Sequence, residues 1–386
     1  MSGAPDLSAG GSPPVRAWLA EPLPPEVAHA LDRLARADDV AAIAVLPDVH
    51  LSEEVCVGVA VATRTRLLPA AIGGDLGCGM EALRFDGDAE RLRDAALRER
   101  IARDLRRVVP ARIRRGPASS LALPAELDGG GLSAPELAKR LERDGRREFA
   151  TLGRGNHFLE LDRDEQGALW LSVHSGSRAL GPAIGAWHRR RAERDGAGFE
   201  GLAADSEAGR AFLADVEFAL RFAAASRAAM VAAASTVVAE HLGVAPLPAT
   251  QIACVHNQVR RESFGGESLW IHRKGAIPAT EGEAGIVPGS MGAPTFHVEG
   301  RGSAASLHSS AHGAGRALSR GEAHRSISPR ELLRQMKGIG FDDASAARLV
   351  DEAPSAYKDV RAVMRAQREL TRIVRMLAPI LVHKGT

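Results

Sequence analysis

A glycine-rich run constrains the fold of this chain more than any other feature of its sequence. Four glycines stand within residues 73–79, directly after a stretch of short β-branched segments. Glycine adopts backbone conformations that other residues avoid and lets a ligand approach the main chain closely. The run Gly-Gly-Asp-Leu-Gly-Cys-Gly-Met also holds the carboxylate of Asp75 and the thiol of Cys78 three residues apart. Taken alone, it predicts a tight turn with a buried free cysteine, since free cysteine is usually a small core residue.

Around this run, strand-like and helix-like segments alternate irregularly. Helical spacing marks residues 26–42, 89–109, 134–150, 180–194 and 206–242, and strand patterns mark residues 44–85, 156–161, 169–174 and 251–297. Asp205 and Gly243 are the predicted N-cap and stop of the longest helix, and Ser328 with Glu331 predicts a capping box that opens a later one. Irregular alternation favours one α+β domain over a doubly wound sheet. We therefore predict mixed or antiparallel sheets, flanked by helices, around a central cleft.

Composition divides the chain into a tail and one domain. Residues 1–14 combine Gly, Pro and Ser with almost no apolar side chains, so they cannot bury enough surface to offset their ordering entropy. We predict a disordered tail over residues 1–18 and a single domain over residues 19–386.

Charge and cysteine content restrict the class of protein. There are 50 Lys and Arg against 48 Asp and Glu, a net charge of +2, so any nucleic acid must bind to a local basic patch. Three scattered cysteines and no leader-like start predict a reducing, cytoplasmic compartment. The most apolar stretch, residues 223–242, carries charged and hydroxyl side chains, which makes it a poor membrane span.

Three histidines stand in polar settings, each at or just after a strand-like run. They are His157 in Gly-Asn-His-Phe, His174 in Val-His-Ser-Gly-Ser-Arg and His256 in Val-His-Asn. Singly, each is more often a structural hydrogen-bonding group than a ligand. With Asp75 and Cys78 they form a set that suits Mn²⁺, Co²⁺ or Zn²⁺ better than Mg²⁺ or Ca²⁺. The residues alone thus indicate a metal site without specifying the metal.

Two further glycine-rich segments could hold phosphate. Residues 286–292 read Ile-Val-Pro-Gly-Ser-Met-Gly, and residues 308–316 read His-Ser-Ser-Ala-His-Gly-Ala-Gly-Arg. Free backbone N–H groups, hydroxyls and an arginine in such loops can bind phosphate oxygens. Each loop alone is a weak signal, and nearby cations such as Lys274 and Arg178 could equally be solvated surface charges.

Ten motifs, in order, resemble the RtcB-type RNA-splicing ligases over residues 46–384. They are PDVH, GGDLGCGM, GRGNHFLE, VHSGSR, HN, HRKGA, VPGSMG, HGAGR, AYKD and a terminal Lys-Gly. The resemblance implies that the α+β domain is built around a dinuclear metal cleft.

The resemblance also implies a role for each matching residue. Two Mn²⁺ ions would be held by Asp75, Cys78, His157, His174 and His256, with the thiolate bridging. His312 would be the nucleophile that takes GMP from GTP. The nucleotide would be bound by Asn156, Glu160, Ser290, His312, Gly313, Ala314, Gly315, Tyr357 and Lys384, with Glu160 on the guanine edge. Phosphates of nucleotide or RNA would contact Arg178, Lys274 and Arg316.

The implied activity is GTP- and Mn²⁺-dependent joining of an RNA 3′-phosphate or 2′,3′-cyclic phosphate to a 5′-hydroxyl, in RNA repair or tRNA splicing. The resemblance brings in an archease-like activator as a candidate partner. The sequence leaves the oligomeric state open, and a monomer is compatible with it.

Departures from the family pattern leave two alternatives open. Leu-Ser-Glu-Glu follows PDVH in place of a glycine-rich continuation, and Ser263, Thr295 and Ala311 replace the usual residues. One alternative is an enzyme that caps RNA or DNA 3′-phosphate ends with guanylate and ligates poorly. The other is a GTP- or metal-binding regulator without catalysis. Retention of His312 and all five metal ligands argues against the second.

Overall fold

The computed structural model describes residues 13–111, 121–128 and 130–385. The strands of these residues, in chain order, are β1 (Val15–Ala17), β2 (Val40–His50), β3 (Val57–Thr63), β4 (Arg66–Leu67), β5 (Gly79–Asp88), β6 (Phe158–Asp164), β7 (Ala168–Ser175), β8 (Glu193–Arg194), β9 (Glu200–Ala203), β10 (Pro246–Val255), β11 (Asn257–Phe264), β12 (Glu267–Lys274), β13 (Ala276–Pro278), β14 (Ala284–Val287), β15 (Thr295–Gly300), β16 (Ser309–Ala311) and β17 (Thr371–Lys384).

The α-helices of the same residues are α1 (Pro25–Ala35), α2 (Ala95–Val108), α3 (Pro135–Arg140), α4 (Arg146–Glu148), α5 (Leu180–Arg189), α6 (Glu207–Leu242), α7 (Arg320–Ser326), α8 (Pro329–Gln335) and α9 (Val360–Ala366). A π-helical turn, Leu141–Gly145, joins α3 to α4. Short 3-10 helices lie at Pro69–Ile72, Glu90–Arg93, Ala125–Leu127, Ala304–Ser306, Asp343–Arg348, Val350–Glu352 and Pro354–Ala356.

Two large sheets carry the fold. The seven-stranded sheet has the order β10-β5-β7-β6-β17-β15-β14, and each neighbouring pair is antiparallel. The five-stranded sheet has the order β1-β2-β3-β12-β11, in which β1 and β2 are parallel and the other pairs antiparallel. Small sheets form from β13-β16 and from β4-β9-β8. The prediction of one α+β domain with mixed and antiparallel sheets is confirmed.

The long helix α6 packs against β5 and β7 of the seven-stranded sheet. It begins one residue later than predicted, because Ser206, not Asp205, is the N-cap and accepts from the backbone N of Gly209 at 2.9 Å. Gly243 ends it in the left-handed conformation, with φ 68°, as predicted. By length and composition α6 could cross a membrane, yet 56% of its most apolar window is buried inside the protein, as in a core helix.

The predicted tail needs a correction at its boundary. Residues 1–12 lie outside the described residues, but Val15–Ala17 already forms β1. Val15 pairs with Ile43 of β2, and the backbone N of Trp18 donates to Val45 O at 2.9 Å. The edge of β2 offers free backbone groups that this short segment satisfies, so ordered structure begins before residue 19.

Several predicted helices are shorter in the structure. The first ends at Ala35, because Val40 enters the buried strand β2. The second is interrupted at Asp94, whose carboxylate caps α2 by accepting from Ala96 N at 2.9 Å. The helix predicted over residues 180–194 ends at Arg189.

Candidate active site

Four of the predicted metal ligands lie at the ends of four adjacent strands of the seven-stranded sheet, on the same side of that sheet's strand ends. Cys78 directly precedes β5 and His157 directly precedes β6, whereas His174 lies near the end of β7 and His256 follows β10. These strands run antiparallel to their neighbours, with Met80 of β5 opposite His174. The starts of two strands and the ends of two others therefore meet at the same place.

The glycine-rich loop before β5 is fastened to the segment that carries His256. The backbone N of Gly77, at φ 70°, donates to Asn257 O at 2.9 Å, and Asn257 Nδ2 donates to Asp75 O at 3.0 Å. A Cβ on Gly176 would lie 2.3 Å from Asp75 Oδ1. Glycine at 176 thus makes room for the Asp75 carboxylate.

The five side chains lie close together around Cys78, His157 and His174. Cys78 Sγ lies 3.3 Å from Nε2 of His157 and 3.3 Å from Nε2 of His174, and the three donor atoms lie within 4.8 Å of one another. His157 Nε2 is 3.0 Å from Asp75 Oδ2, and His174 Nε2 is 3.5 Å from His256 Nε2. Asp75 and His256 thus join the cluster through the two histidines.

Burial dominates the electrostatics of this cluster. Desolvation, reinforced by neighbouring imidazoles, lowers the pKa of His174 and of His256 well below the usual value. Burial, followed by the charge of Asp75, raises the pKa of the Cys78 thiol well above its usual value. Asp75 Oδ1 is buried with no hydrogen-bond partner among the described residues. Imidazole nitrogens, one sulfur and one carboxylate thus lie close together in a buried place. This donor set fits borderline divalent metal ions.

His312 lies beside the cluster and is oriented by Asp48. Its Nδ1 is 2.6 Å from Asp48 Oδ2, and its backbone N donates to the same oxygen at 3.2 Å. The fully buried Asp48 belongs to β2, where Lys358 Nζ donates to the neighbouring Val49 O at 2.7 Å. A carboxylate can only accept, so the imidazole proton lies on Nδ1 and Nε2 keeps its lone pair. The His312 ring centroid is 4.6 Å from that of His256.

A cleft of about 500 Å³, here called the central cleft, opens beside this pair. It gathers all the residues predicted to bind the nucleotide: Asn156, Glu160, Ser290, His312, Gly313, Ala314, Gly315, Tyr357 and Lys384. Of the predicted metal ligands it includes Asp75, Cys78, His174 and His256. Lys274 and Arg316 line it too.

One wall of the central cleft is strongly charged. Burial raises the pKa of Glu160 well above its usual value, with the charge of Asp162 acting in the same direction and Lys384 opposing it. Lys384 Nζ forms a 2.7 Å ion pair with Glu352. Arg316 is also held by Glu352, at 2.6 Å, and its guanidinium stacks 4.8 Å from the Tyr357 ring centroid.

A second cavity of about 690 Å³, the arginine cavity, adjoins the central cleft at Asp75 and Asn156. It is lined by His157 and Asp75 and by Arg147, Arg154 and Arg178. None of the three arginines has a hydrogen bond or ion pair to the residues the structure describes. The sequence predicts Arg178 as a phosphate ligand, and the structure places it here rather than in the central cleft.

Sequence reasoning assigns no role to several residues of the site. Asp48 stands in the PDVH motif, which is a usable signal. Glu352 and Arg147 belong to segments without a recognisable pattern. Arg154 lies inside the GRGNHFLE motif and could have been noticed as a cation beside His157.

Comparisons with known proteins identify the family of this chain. The family model described as tRNA-splicing ligase RtcB matches residues 30–128 and 125–385. The RNA-splicing ligase RtcB of Escherichia coli K12 is 36% identical over 376 residues, which cover 89% of this chain and 90% of that protein. The RNA-splicing ligase RtcB of Mycobacterium tuberculosis is 29% identical, with 88% of this chain and 96% of that protein covered. The tRNA-splicing ligase RtcB of Nanoarchaeum equitans is 28% identical, with 83% and 82% covered. Since the family match spans nearly all of the described residues, the chain belongs to the RtcB family.

Proposed function

We propose that this protein is a GTP- and Mn²⁺-dependent RNA ligase that joins an RNA 3′-phosphate or 2′,3′-cyclic phosphate to a 5′-hydroxyl through guanylylated His312. One observation carries the proposal. His312, with Nδ1 held by Asp48, stands in ring contact with the Cys/His cluster inside a cleft of nucleotide size. A binding protein would have no need for an oriented imidazole at that place.

The cluster of Asp75, Cys78, His157, His174 and His256 would hold two Mn²⁺ ions. Such ions neutralise the negative charge that develops on phosphoryl oxygens during transfer. The chain would contribute by keeping the ligands buried away from solvent and by holding His312 next to them.

In the first step, His312 Nε2 would attack the α-phosphorus of GTP. A nitrogen–phosphorus bond forms, the bond from the α-phosphorus to the bridging oxygen breaks, and pyrophosphate leaves. The imidazole becomes positively charged while it keeps the proton on Nδ1. Asp48, 2.6 Å from Nδ1, would neutralise this charge.

Glu160 would select guanine in the central cleft. Its carboxylate can accept from N1–H and N2–H₂ of guanine, whereas adenine does not present that pair of donors. Tyr357 and Lys384 line the same wall. A site built to pair with those donors loses binding when they are absent.

In the second step, an oxygen of the RNA 3′-phosphate would attack the phosphorus on His312 and release the imidazole. The 5′-hydroxyl of the other strand would then attack the 3′-phosphorus and displace GMP. A 2′,3′-cyclic end would first take up one water molecule and open to the 3′-phosphate.

The geometry of in-line displacement limits where the 5′-hydroxyl strand can bind. The attacking hydroxyl must approach from the side opposite the leaving GMP. With GMP in the central cleft, the second strand would bind in the arginine cavity, which adjoins that cleft at Asp75 and Asn156. The unpaired Arg147, Arg154 and Arg178 would bind backbone phosphates there.

A ligation assay tests the proposal. Purified protein is incubated with an RNA 3′-phosphate strand, a labelled 5′-hydroxyl strand, GTP and MnCl₂. We expect a joined product that requires GTP and Mn²⁺ and does not form with ATP or with Mg²⁺ alone. Accumulation of a guanylate-capped 3′ end without joining would instead support the capping alternative, and absence of both products would contradict the proposal.

A further inference from the structure

A single buried carboxylate, Glu352, binds four donors on the wall of the central cleft. Its Oε1 accepts from Arg316 Nη2 at 2.6 Å and from Arg320 Nη1 at 3.0 Å. Its Oε2 accepts from Lys384 Nζ and from the Tyr357 hydroxyl, both at 2.7 Å. Glu352 is 2% exposed. This residue thus connects the loop that carries His312 with the wall that carries Lys384.

A second carboxylate on that wall, Glu160, has no such partners. Glu160 is 4% exposed, and its carboxylate makes no hydrogen bond or ion pair to any of the described residues. On adjacent strands β6 and β17, Lys384 pairs with Phe158 and Val382 pairs with Glu160. Lys384 and Glu160 are therefore diagonal neighbours on one face of the sheet, within reach of a lysine side chain.

We propose that Glu352 is a positioning residue for base selection, which binds the Lys384 ammonium and so keeps it from pairing with Glu160. The inference rests on the proposed function, in which guanine donates to Glu160 and so favours the ionised carboxylate that burial alone disfavours. Glu352 itself need not contact the base.

Two carboxylates, Glu352 and Glu160, compete for one buried ammonium, that of Lys384. Lys384 is 9% exposed, and a buried ammonium needs an anionic partner. If Glu352 becomes a neutral glutamine, Glu160 is the remaining carboxylate of the cleft wall that Lys384 can reach. A Glu160–Lys384 ion pair would then compete with guanine for the same oxygens. Adenine would lose less, because it does not use both of them.

Nucleotide binding to the full-length protein, measured by isothermal titration calorimetry with Mn²⁺ present, tests the inference. We expect Glu352→Gln to weaken GTP binding by about tenfold, the order expected when buried donors lose their acceptor, and to change ATP binding by less than about twofold. Asp351→Asn is the matched control. It removes the adjacent buried charge, which pairs with Arg320 but not with Lys384, and should leave the GTP-to-ATP preference unchanged.

A double-mutant cycle separates this role from a merely structural one. In a Lys384→Met background, Glu352→Gln should weaken GTP binding by less than about twofold, because no ammonium remains to occupy Glu160. An equal loss in both backgrounds, or an unchanged GTP-to-ATP preference in Glu352→Gln, would overturn the inference.

Two further outcomes are distinguishable. If Glu352→Gln does not fold, Glu352→Asp replaces it, since the shorter side chain loosens the bond to Lys384. That variant should lose part of the GTP preference in the wild-type background and none in the Lys384→Met background; full retention in the wild-type background would overturn the inference. If the unmodified protein itself shows no preference for GTP over ATP, the proposed function fails and the inference with it.

Discussion

At the scale of single residues, Asp48 binds Nδ1 of His312 and leaves Nε2 as the nitrogen that would attack in the proposed reaction. Its carboxylate accepts from Nδ1 at 2.6 Å and is fully buried, so the ring cannot turn without losing that bond. The same carboxylate would face the positive charge of a guanylylated ring.

Asp48→Asn should therefore slow guanylylation by about 100-fold or more, within the range that an oriented acid or base contributes. The amide cannot neutralise the imidazolium, and its NH₂ group can donate to Nδ1 and move the ring proton to Nε2. Single-turnover transfer of GMP from labelled GTP measures the rate. GTP affinity should stay within about threefold of the unmodified protein, and a normal rate would show that Asp48 does not orient the nucleophile.

Glu352 should also make stability depend on acid. Burial alone would raise its pKa, but the charges of Lys384, Arg316 and Arg320 lower it from 4.5 to about 2. A carboxylate with a lowered folded-state pKa stabilises the protein above its unfolded pKa, and this contribution is lost as pH falls from about 4.5 toward 2. Urea unfolding across that range should show a shallower loss of stability in Glu352→Gln, and an unchanged acid dependence would contradict the assignment.

The sequence predicted the residues of the site better than their partners. Ordered motifs were enough to predict which residues gather in the Asp/Cys/His cluster and in the lining of the cleft, while the role of His312 as nucleophile stays a prediction. The contact between Asp48 and His312 joins positions 264 residues apart, and no local pattern encodes such a pair. The same holds for Glu352 and Lys384.

At the scale of elements, α6 stabilises the glycine-rich loop that carries Asp75 and Cys78. Arg227 of this helix is 2% exposed, and its Nη1 donates to Gly77 O at 2.8 Å and to Ser175 O at 2.9 Å. Those carbonyls lie next to Cys78 and His174 in the chain. One guanidinium thus ties the start of β5 to the end of β7.

Arg227→Met should lower the free energy of unfolding by about 3 kcal/mol, because two buried carbonyls lose a charged donor. It should also weaken Mn²⁺ binding, measured by titration followed by electron paramagnetic resonance. Arg221→Met is the matched control. Arg221 lies on the same helix, its side chain is 48% exposed, and its ion pair with Glu217 is long, at 4.0 Å. Equal effects of the two substitutions would exclude a specific role for Arg227.

Periodicity predicted the type of element more securely than its ends. Helix α6 agrees with its prediction within one residue, because both caps are local signals. The predicted capping box forms only in part: Ser328 accepts from Glu331 N at 3.1 Å, but the Glu331 carboxylate binds Arg334. A complete box forms at Ser319 and Glu322, which the sequence analysis did not single out. Strand register, which assembles the ligands, depends on pairing across the whole chain.

At the scale of the whole molecule, two cavities of different character adjoin the Asp/Cys/His cluster. The central cleft is lined by glycine-rich loops and mixed charges, whereas the arginine cavity carries three unpaired guanidinium groups. With a net charge of only +2, this local cluster is the kind of basic patch that RNA binding requires.

Replacing both Arg147 and Arg154 by alanine should weaken use of the 5′-hydroxyl strand without affecting guanylylation. We expect the KM for that strand to rise by about tenfold, with a shallower salt dependence, because each arginine removed takes away part of the electrostatic attraction for phosphate. The exposed Arg103 of α2 serves as a control, since Arg103→Ala should leave the KM unchanged. Loss of guanylylation in the double variant would contradict the assignment of the two cavities.

The most direct test of the account is transfer of GMP to His312. Protein incubated with α-labelled GTP and MnCl₂ should acquire a covalent label that is labile in acid and stable in alkali, as a phosphoramidate is. His312→Ala should acquire none and should join no RNA, while it still binds GTP and Mn²⁺, because the other nucleotide-binding groups and all the expected metal ligands are retained. If His312→Ala still accumulated protein-linked GMP, another residue would be the acceptor and the mechanism proposed here would be wrong.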